Sequence, residues 1–193
     1  MERMARRGIA SLWIAAVAAS AGCSFPRFAV PGALRPGMKV VCAGARLKAA
    51  VGQSRFTEEM QRRPGLWKDF VESLEKTGRL RILPTTPPGI RSLAICGACD
   101  DRGWSAEQAR AAAADGTLCF EVRAEGDAAE IRVASFVKLT DRSGSLVWSE
   151  RVESTLRPKA GENLQDLPSA LEALAIANDA KLAAALRAIP ASP

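Results

Sequence analysis

Cysteines and carboxylates are the side chains of this chain that could carry chemistry, because its 193 residues include neither histidine nor tyrosine. Without histidine, a Ser-His-Asp or Cys-His nucleophile, a histidine general base and every histidine-containing zinc site are excluded. Cys96 and Cys99 form a CxxC pair, whereas Cys42 and Cys119 are distant in sequence, so that no second close pair completes a zinc site. We therefore predict no metal site and no cofactor.

Carboxylates could still act as a general acid and base, and the candidates are Asp100, Asp101, Glu121 and Glu125. No spacing selects two of them, and nothing nearby in the sequence positions a reactive group. We therefore expect that the protein is not an enzyme and has no catalytic residue. A hydrolase that uses carboxylates is the distant alternative.

The first 22 residues have the order of a secretory signal. Three arginines stand among the first seven residues, and an uncharged apolar run, too short to span a membrane, then ends in small residues. Ser20-Ala21-Gly22-Cys23 resembles the lipobox of bacterial lipoproteins, in which the signal is removed before an acylated cysteine. This resemblance implies a signal peptide at residues 1–22 and lipidation of Cys23. An ordinary signal peptide or a cytosolic helix is the alternative.

The residue after the cysteine and the other cysteines give further expectations. Ser24 stands where an inner-membrane retention signal has aspartate, which by family analogy indicates the periplasmic face of the outer membrane. In an oxidising periplasm a structural disulfide is the usual state of a close cysteine pair, so Cys96 and Cys99 are the first disulfide candidates. Cys42 and Cys119 are either two buried thiols or a second bridge.

Charge is uneven along the chain after Cys23. Residues 23–91 hold 13 Lys/Arg and 5 Asp/Glu, a net charge of +8, whereas residues 92–193 hold 11 and 15, a net charge of −4. Such asymmetry suits head-to-tail packing of copies, an anionic lipid surface or an anionic polymer. With only 5% aromatic residues and an export signal, we expect no nucleic-acid partner.

The remaining pattern predicts a proline-rich extended tether at residues 23–37 and a single α+β domain at residues 38–190. The predicted order is β-α-β-α-β-β-β-α, which indicates a mixed sheet with helices largely on one face. The predicted strands are 38–48, 79–83, 117–124, 131–140 and 145–154, and the helices are 64–77, 106–115 and 167–189.

The strands at 131–140 and 145–154 are predicted as a hairpin about the loop 141–144. If Thr140 faces Ser145, Trp148 lies opposite Val137 and the larger apolar residues share one face. We predict this register.

Three segments resemble a family of envelope lipoproteins. The segment 66–83 (LWKDFVESLEKTGRLRIL) is similar to a helix and strand of the family, 109–122 (ARAAAADGTLCFEV) to its helix-to-strand step and 136–150 (FVKLTDRSGSLVWSE) to its hairpin. The family includes the curli secretion channel lipoprotein, the Pel exopolysaccharide export lipoprotein, the penicillin-binding-protein activator lipoproteins and the N-terminal domain of TolB. The resemblance implies a fold like the TolB N-terminal domain, with the Pel export lipoprotein closest in build.

Members of this family scaffold export channels or regulate enzymes, several of them as rings. The resemblance therefore implies an outer-membrane-anchored periplasmic lipoprotein that acts as an assembly or scaffold subunit in exopolysaccharide or protein export. Its implied partners are outer-membrane lipid through Cys23, further copies of itself and an export-channel or envelope protein. The alternative is a lipoprotein activator of a peptidoglycan synthase. Such an activator must cross the periplasm, and a tether of roughly 14 residues spans only about 45 Å.

Four side chains are candidates for contact with a partner or an anionic or cationic polysaccharide. Trp104 is predicted in a loop after Gly103, where it would be exposed, whereas Trp148 would lie either in the core or at an interface. Arg79 and Arg81 alternate on a short strand, where they would face solvent or, in a ring, line a lumen that meets anionic polymer.

Overall fold

Six strands form one mixed sheet within the residues that the computed structural model describes, which are 27–49, 64–83, 101–126, 130–157 and 167–190. The strand order across the sheet is β1-β6-β5-β4-β2-β3. The predicted order of helices and strands is confirmed, with the short strand β1 added before it. The strands are β1 (Phe28–Ala29), β2 (Met38–Ala49), β3 (Leu80–Leu83), β4 (Gly116–Gly126), β5 (Ile131–Asp141) and β6 (Leu146–Leu156), and the helices are α1 (Pro64–Glu75), α2 (Arg102–Ala111) and α3 (Leu167–Ala188).

The helices α1 and α3 pack on one face of the sheet and α2 packs on the other. Phe70 of α1 stacks on Phe120 of β4 with 3.6 Å between the ring centroids. The opposite face of β4 is turned toward α2. On that face the Thr117 hydroxyl donates to the Ser105 carbonyl of α2 at 2.8 Å. Two of the three described helices thus share a face, as the sequence predicts. Core side chains between this face and the helices include Leu74, Leu118, Val137, Leu139, Leu171, Leu182 and Leu186.

The segment predicted as a tether joins the sheet from Arg27 onward. β1 pairs antiparallel with β6, and the Val30 amide donates to the Val147 carbonyl at 2.9 Å. Leu34 is completely buried in the core. A tertiary strand pairing and a buried leucine therefore attach this segment to the domain, and only the four residues 23–26 stand between the start of the predicted tether and the described structure.

The hairpin forms, but its predicted register is wrong by two residues. Trp148 lies opposite Leu139 rather than Val137, and Val137 lies opposite Glu150. Because side chains alternate with a period of two, a shift of two keeps Trp148 and Val137 on their predicted face. Trp148 therefore still points into the core.

Two local features produce this shift. The Asp141 amide donates to the Ser145 carbonyl at 2.8 Å, which leaves a three-residue loop in which Gly144 has a φ of +80°. A bulge beside Leu139 then adds one more residue of β6. The Asp141 carboxylate accepts bonds from the Ser143 and Ser145 amides, so it fixes the loop in this form.

The helix predicted at residues 106–115 begins four residues earlier. The Asp101 carboxylate caps it by accepting a bond from the Trp104 amide at 3.1 Å. Its end is also earlier, because Ala113 adopts a left-handed φ of 49°. Trp104 therefore lies on a helix, not in the predicted loop.

Side chains occupy backbone groups at the β3 edge of the described sheet and along the part of β6 that the two-residue strand β1 leaves uncovered. At the β3 edge the Ile82 amide donates to Glu75 Oε1 at 2.8 Å. At the β6 edge Lys181 Nζ donates to the Glu153 carbonyl at 2.9 Å and to the Ser154 hydroxyl at 2.6 Å. Such contacts hinder the addition of a further strand.

Candidate functional site

A groove of about 250 Å³ lies between β1, the start of β6 and the C-terminal end of α3. The α3 wall of the groove consists of the small side chains of Ala185 and Ala188, which leave this space open. Phe28 of β1, which is 41% exposed, forms the other wall. Trp148 forms part of the lining although only 1% of it is exposed. We call this feature the N-terminal groove, because Arg27, the first described residue, lines it.

One ion pair holds the N-terminal segment against the groove. Arg27 Nε lies 3.0 Å from Glu150 Oε2, and the Arg27 side chain is 78% exposed whereas that of Glu150 is 8% exposed. A carboxylate buried in this way is costly without a partner. The pair therefore attaches the start of the described chain to β6 and leaves a groove that is otherwise mostly apolar.

The structure separates the four predicted contact residues instead of bringing them together. Trp148 lies in the core beside the groove, whereas Trp104 is half-buried on α2, on the opposite face of the sheet. Arg79 Nη2 donates to the Ile189 carbonyl at 2.6 Å, where the end of α3 leaves carbonyls without helical partners. Arg81 is exposed on β3. Among these four, Trp148 lines the groove, and Arg79 reaches the residue that follows α3.

The structure describes two of the five cysteines. Cys119 on β4 is disulfide-bonded and 5% exposed, whereas Cys42 on β2 is a buried thiol. A bridge between these two residues therefore does not form, and the partner of Cys119 lies outside the described residues. The predictions for Cys23, Cys96 and Cys99 also lie outside them and stay predictions.

Sequence reasoning missed a buried polar cluster on the α2 side of the sheet. Glu121 is 2% exposed and pairs with Arg123, whose guanidinium lies 4.7 Å from the centroid of the Phe136 ring. The Arg151 guanidinium lies 5.2 Å from the same centroid. Burial also lowers the pKa of the nearby Lys138. To predict this cluster, one would have needed the correct hairpin register, because only that register sets Phe136 opposite Arg151.

A second missed group lies on α3. Asn178 is fully buried, and its amide group donates to the Val133 carbonyl at 2.8 Å and accepts from the Ser154 hydroxyl at 2.7 Å. The next residue, Asp179, is 1% exposed, and its Oδ1 has no hydrogen-bond partner in the described part of the chain. Burial, and then the charge of Asp69, raise the pKa of Asp179 to about 8.

The polar groups described above are not arranged as a metal site in the described part of the chain. Within the described ranges, no group of three or more cysteine, aspartate or glutamate side chains is placed to hold a metal ion. In the same ranges, no helix is long and apolar enough to cross a membrane. The groove can hold an apolar group, and its lining includes the ion pair of Arg27 with Glu150.

No protein-family model matches the chain, and a comparison with curated proteins finds no relative. Solved structures do resemble it. PelC from Paraburkholderia phytofirmans, solved as a dodecamer, is 21% identical with a TM-score of 0.41, over 82% of this chain and 96% of that one. The lipoprotein GNA1162 from Neisseria meningitidis is 15% identical with a TM-score of 0.39, over 73% and 94%. The chain is similar to these two structures over most of its length.

A third structure of the same kind is the C-terminal domain of LpoB from Salmonella enterica. It is 13% identical with a TM-score of 0.38, over 63% of this chain and 85% of that one. The resemblance that the sequence indicates is thus found again among solved structures. At these identities it concerns the fold alone.

Proposed function

We propose that this protein is an outer-membrane-anchored periplasmic lipoprotein that acts as an assembly or scaffold subunit in exopolysaccharide or protein export. The observation that carries the proposal is the docking of the N-terminal segment on β6. Arg27 is paired with Glu150, and only four peptide links separate it from Cys23. Fully extended, that connection spans about 14 Å. A lipid on Cys23 would therefore hold the N-terminal groove close to the membrane.

Anchoring at this distance favours a role beneath the membrane. Acyl chains on Cys23 would hold the domain with about 0.8 kcal/mol for each buried methylene. The docked residues 27–37 add no reach, because β1 and Leu34 fix them to the domain. This supports a membrane-proximal scaffold over an activator of a peptidoglycan synthase, which would have to reach across the periplasm.

The proposal assigns no catalytic role. Two of the buried carboxylates, Glu121 paired to Arg123 and Glu150 paired to Arg27, lie on opposite faces of the sheet. An acid–base pair would share one cleft that admits a substrate. The proposed partners are outer-membrane lipid through Cys23, further copies of this chain, and an export-channel or envelope protein. Contact with an anionic or cationic exported polysaccharide is part of the same proposal.

Cell fractionation with variants at the lipobox tests the anchor. We expect Cys23→Ala to leave the outer-membrane fraction, while the matched control Ser24→Ala stays there. Ser24→Asp should move the protein to the inner-membrane fraction. An unchanged distribution of Cys23→Ala would refute lipid anchoring at this residue.

The assembly role is tested on the lipidated chain, purified from membranes in detergent. Sedimentation velocity over a concentration series should show a mass of several protomers. A single protomer at every concentration would remove the support for a scaffold that works by assembly.

A further inference from the structure

The outward face of α3 is apolar, although it is open to solvent. Its exposed side chains include Ile176, Ala177 and Ala180 at the centre, with Ala173 and Ala184 on either side. Ile176 is 39% exposed, and Phe28 is the other large hydrophobic side chain exposed in the described part of the chain. Surface helices of globular domains normally carry charged and polar residues outward. We call these five residues the α3 face.

The α3 face has the shape that another helix needs. Alanine side chains allow two helix axes to approach to about 8 Å, and Ile176 supplies a ridge that can enter the groove between them. The face also continues at its C-terminal end into the N-terminal groove, through Ala185 and Ala188. Apolar surface thus extends from the middle of α3 to Phe28.

The charges along α3 indicate which partner fits. Glu172 precedes the α3 face, whereas the exposed Arg187 stands toward its C-terminal end, and the Lys181 ammonium is already bonded to β6. A second α3 packed antiparallel would set each Glu172 against the basic end of the other helix, and would also oppose the two helix dipoles. Parallel packing would bring like charges together.

We propose that the α3 face is a contact between two copies of this chain, packed antiparallel about a two-fold axis near Ala177 and Ala180. In such an interface the same patch serves both protomers, so each favourable contact occurs twice. The inference rests on the proposed function in that a scaffold must assemble, and it names the surface through which two copies meet. A lipid bilayer is the competing occupant of an apolar helix face.

Charged substitutions on the α3 face test the contact in the full lipidated chain in detergent. Ile176→Asp and Ala177→Asp should each raise the dissociation constant of self-association at least about 100-fold, because a charge is buried twice in one interface. The matched control is Ala111→Asp, which alters an exposed helical alanine on α2, on the opposite face of the sheet. It should leave self-association unchanged. Circular dichroism would confirm that all three variants fold.

A charge exchange gives an independent measurement. Glu172→Arg and Arg187→Glu should each weaken self-association by about 5-fold, as expected for exposed ion pairs, and an equimolar mixture of the two variants should restore it. A mixture that associates no better than either variant alone would overturn antiparallel packing.

The outcomes separate this inference from the proposed function. An oligomer whose mass is unchanged in folded Ile176→Asp overturns the α3 contact alone and leaves the scaffold role standing. A wild-type chain that is a monomer at every concentration contradicts both. Vesicles of phosphatidylethanolamine and phosphatidylglycerol serve as the lipid probe for Cys23→Ala protein. Binding that Ile176→Asp abolishes, with unchanged oligomer mass, would assign the face to the membrane instead.

Discussion

Replacing Asp179 by asparagine should stabilise the protein at neutral pH and remove part of the pH dependence of its stability. The carboxyl group is 1% exposed, and its Oδ1 has no hydrogen-bond partner among the described residues. Burial and the charge of Asp69 raise its pKa from 3.8 to about 8. At intermediate pH the folded chain therefore holds a proton that the unfolded chain releases.

The sign and size of the effect follow from this difference. The stability that the protonated group contributes is complete below pH 3.8 and is lost as the pH rises toward 8. Each pH unit in between costs about 1.4 kcal/mol, so the free energy of unfolding should fall by about 2.7 kcal/mol between pH 5 and pH 7. An asparagine stays neutral throughout, so the Asp179→Asn variant should not show this fall.

Urea unfolding at pH 5, 6 and 7, with the disulfide kept oxidised, measures both proteins. The stability advantage of Asp179→Asn should grow by about 2.7 kcal/mol across this range. Glu107→Gln, at an exposed position of α2, is the control and should keep the pH dependence of the wild type. If the difference between wild type and Asp179→Asn is the same at pH 5 and pH 7, the reasoning about this buried carboxyl is refuted.

Three further substitutions or treatments test other parts of the structure. Arg79→Ala should lower the free energy of unfolding by about 1.5–3 kcal/mol, because a charged donor to the end of α3 is lost. The control Arg81→Ala should change this free energy little. Equal effects of the two substitutions in urea unfolding would contradict this assignment. Gly144→Ala should cost about 1–3 kcal/mol and lower Tm, since its φ of +80° strains any residue with a Cβ. Reducing the disulfide at Cys119 should lower the free energy of unfolding by about 2–4 kcal/mol. The substitution Cys42→Ala should not alter this response to reductant. An unchanged melting curve after reduction would contradict a stabilising bridge.

Elements with a strong local pattern could be predicted from the sequence, and contacts between distant segments could not. The 3 and 4 spacing of leucines predicted a helix at residues 167–189, and α3 spans Leu167–Ala188. The strand β1 was missed because its pairing with β6 joins residues that are more than a hundred positions apart. The hairpin register was missed because a bulge leaves no mark in the alternation of apolar residues.

The buried polar groups of α3 were missed for a different reason. Asn178 and Asp179 interrupt the apolar face of the helix between Leu171 and Leu182. A prediction that uses only the spacing of apolar residues does not consider them. A polar residue at a core position is itself a signal, since it must find a partner or shift its pKa. The candidate contact residues Arg79 and Trp148 were chosen by residue type, but their neighbours in the fold depend on tertiary packing.

The occupied edges of the sheet set a limit on how this protein can accumulate. In the proposed lipid-anchored state, copies in one leaflet would meet at high local concentration, where open strand edges can pair with one another into extended sheets. Here Glu75 occupies the Ile82 amide and Lys181 occupies the Glu153 carbonyl. We therefore expect copies to meet through side-chain surfaces, and an isologous contact such as the one proposed at the α3 face is used up once two copies have met. We expect crowding under the membrane to yield closed assemblies of fixed size, and not fibres.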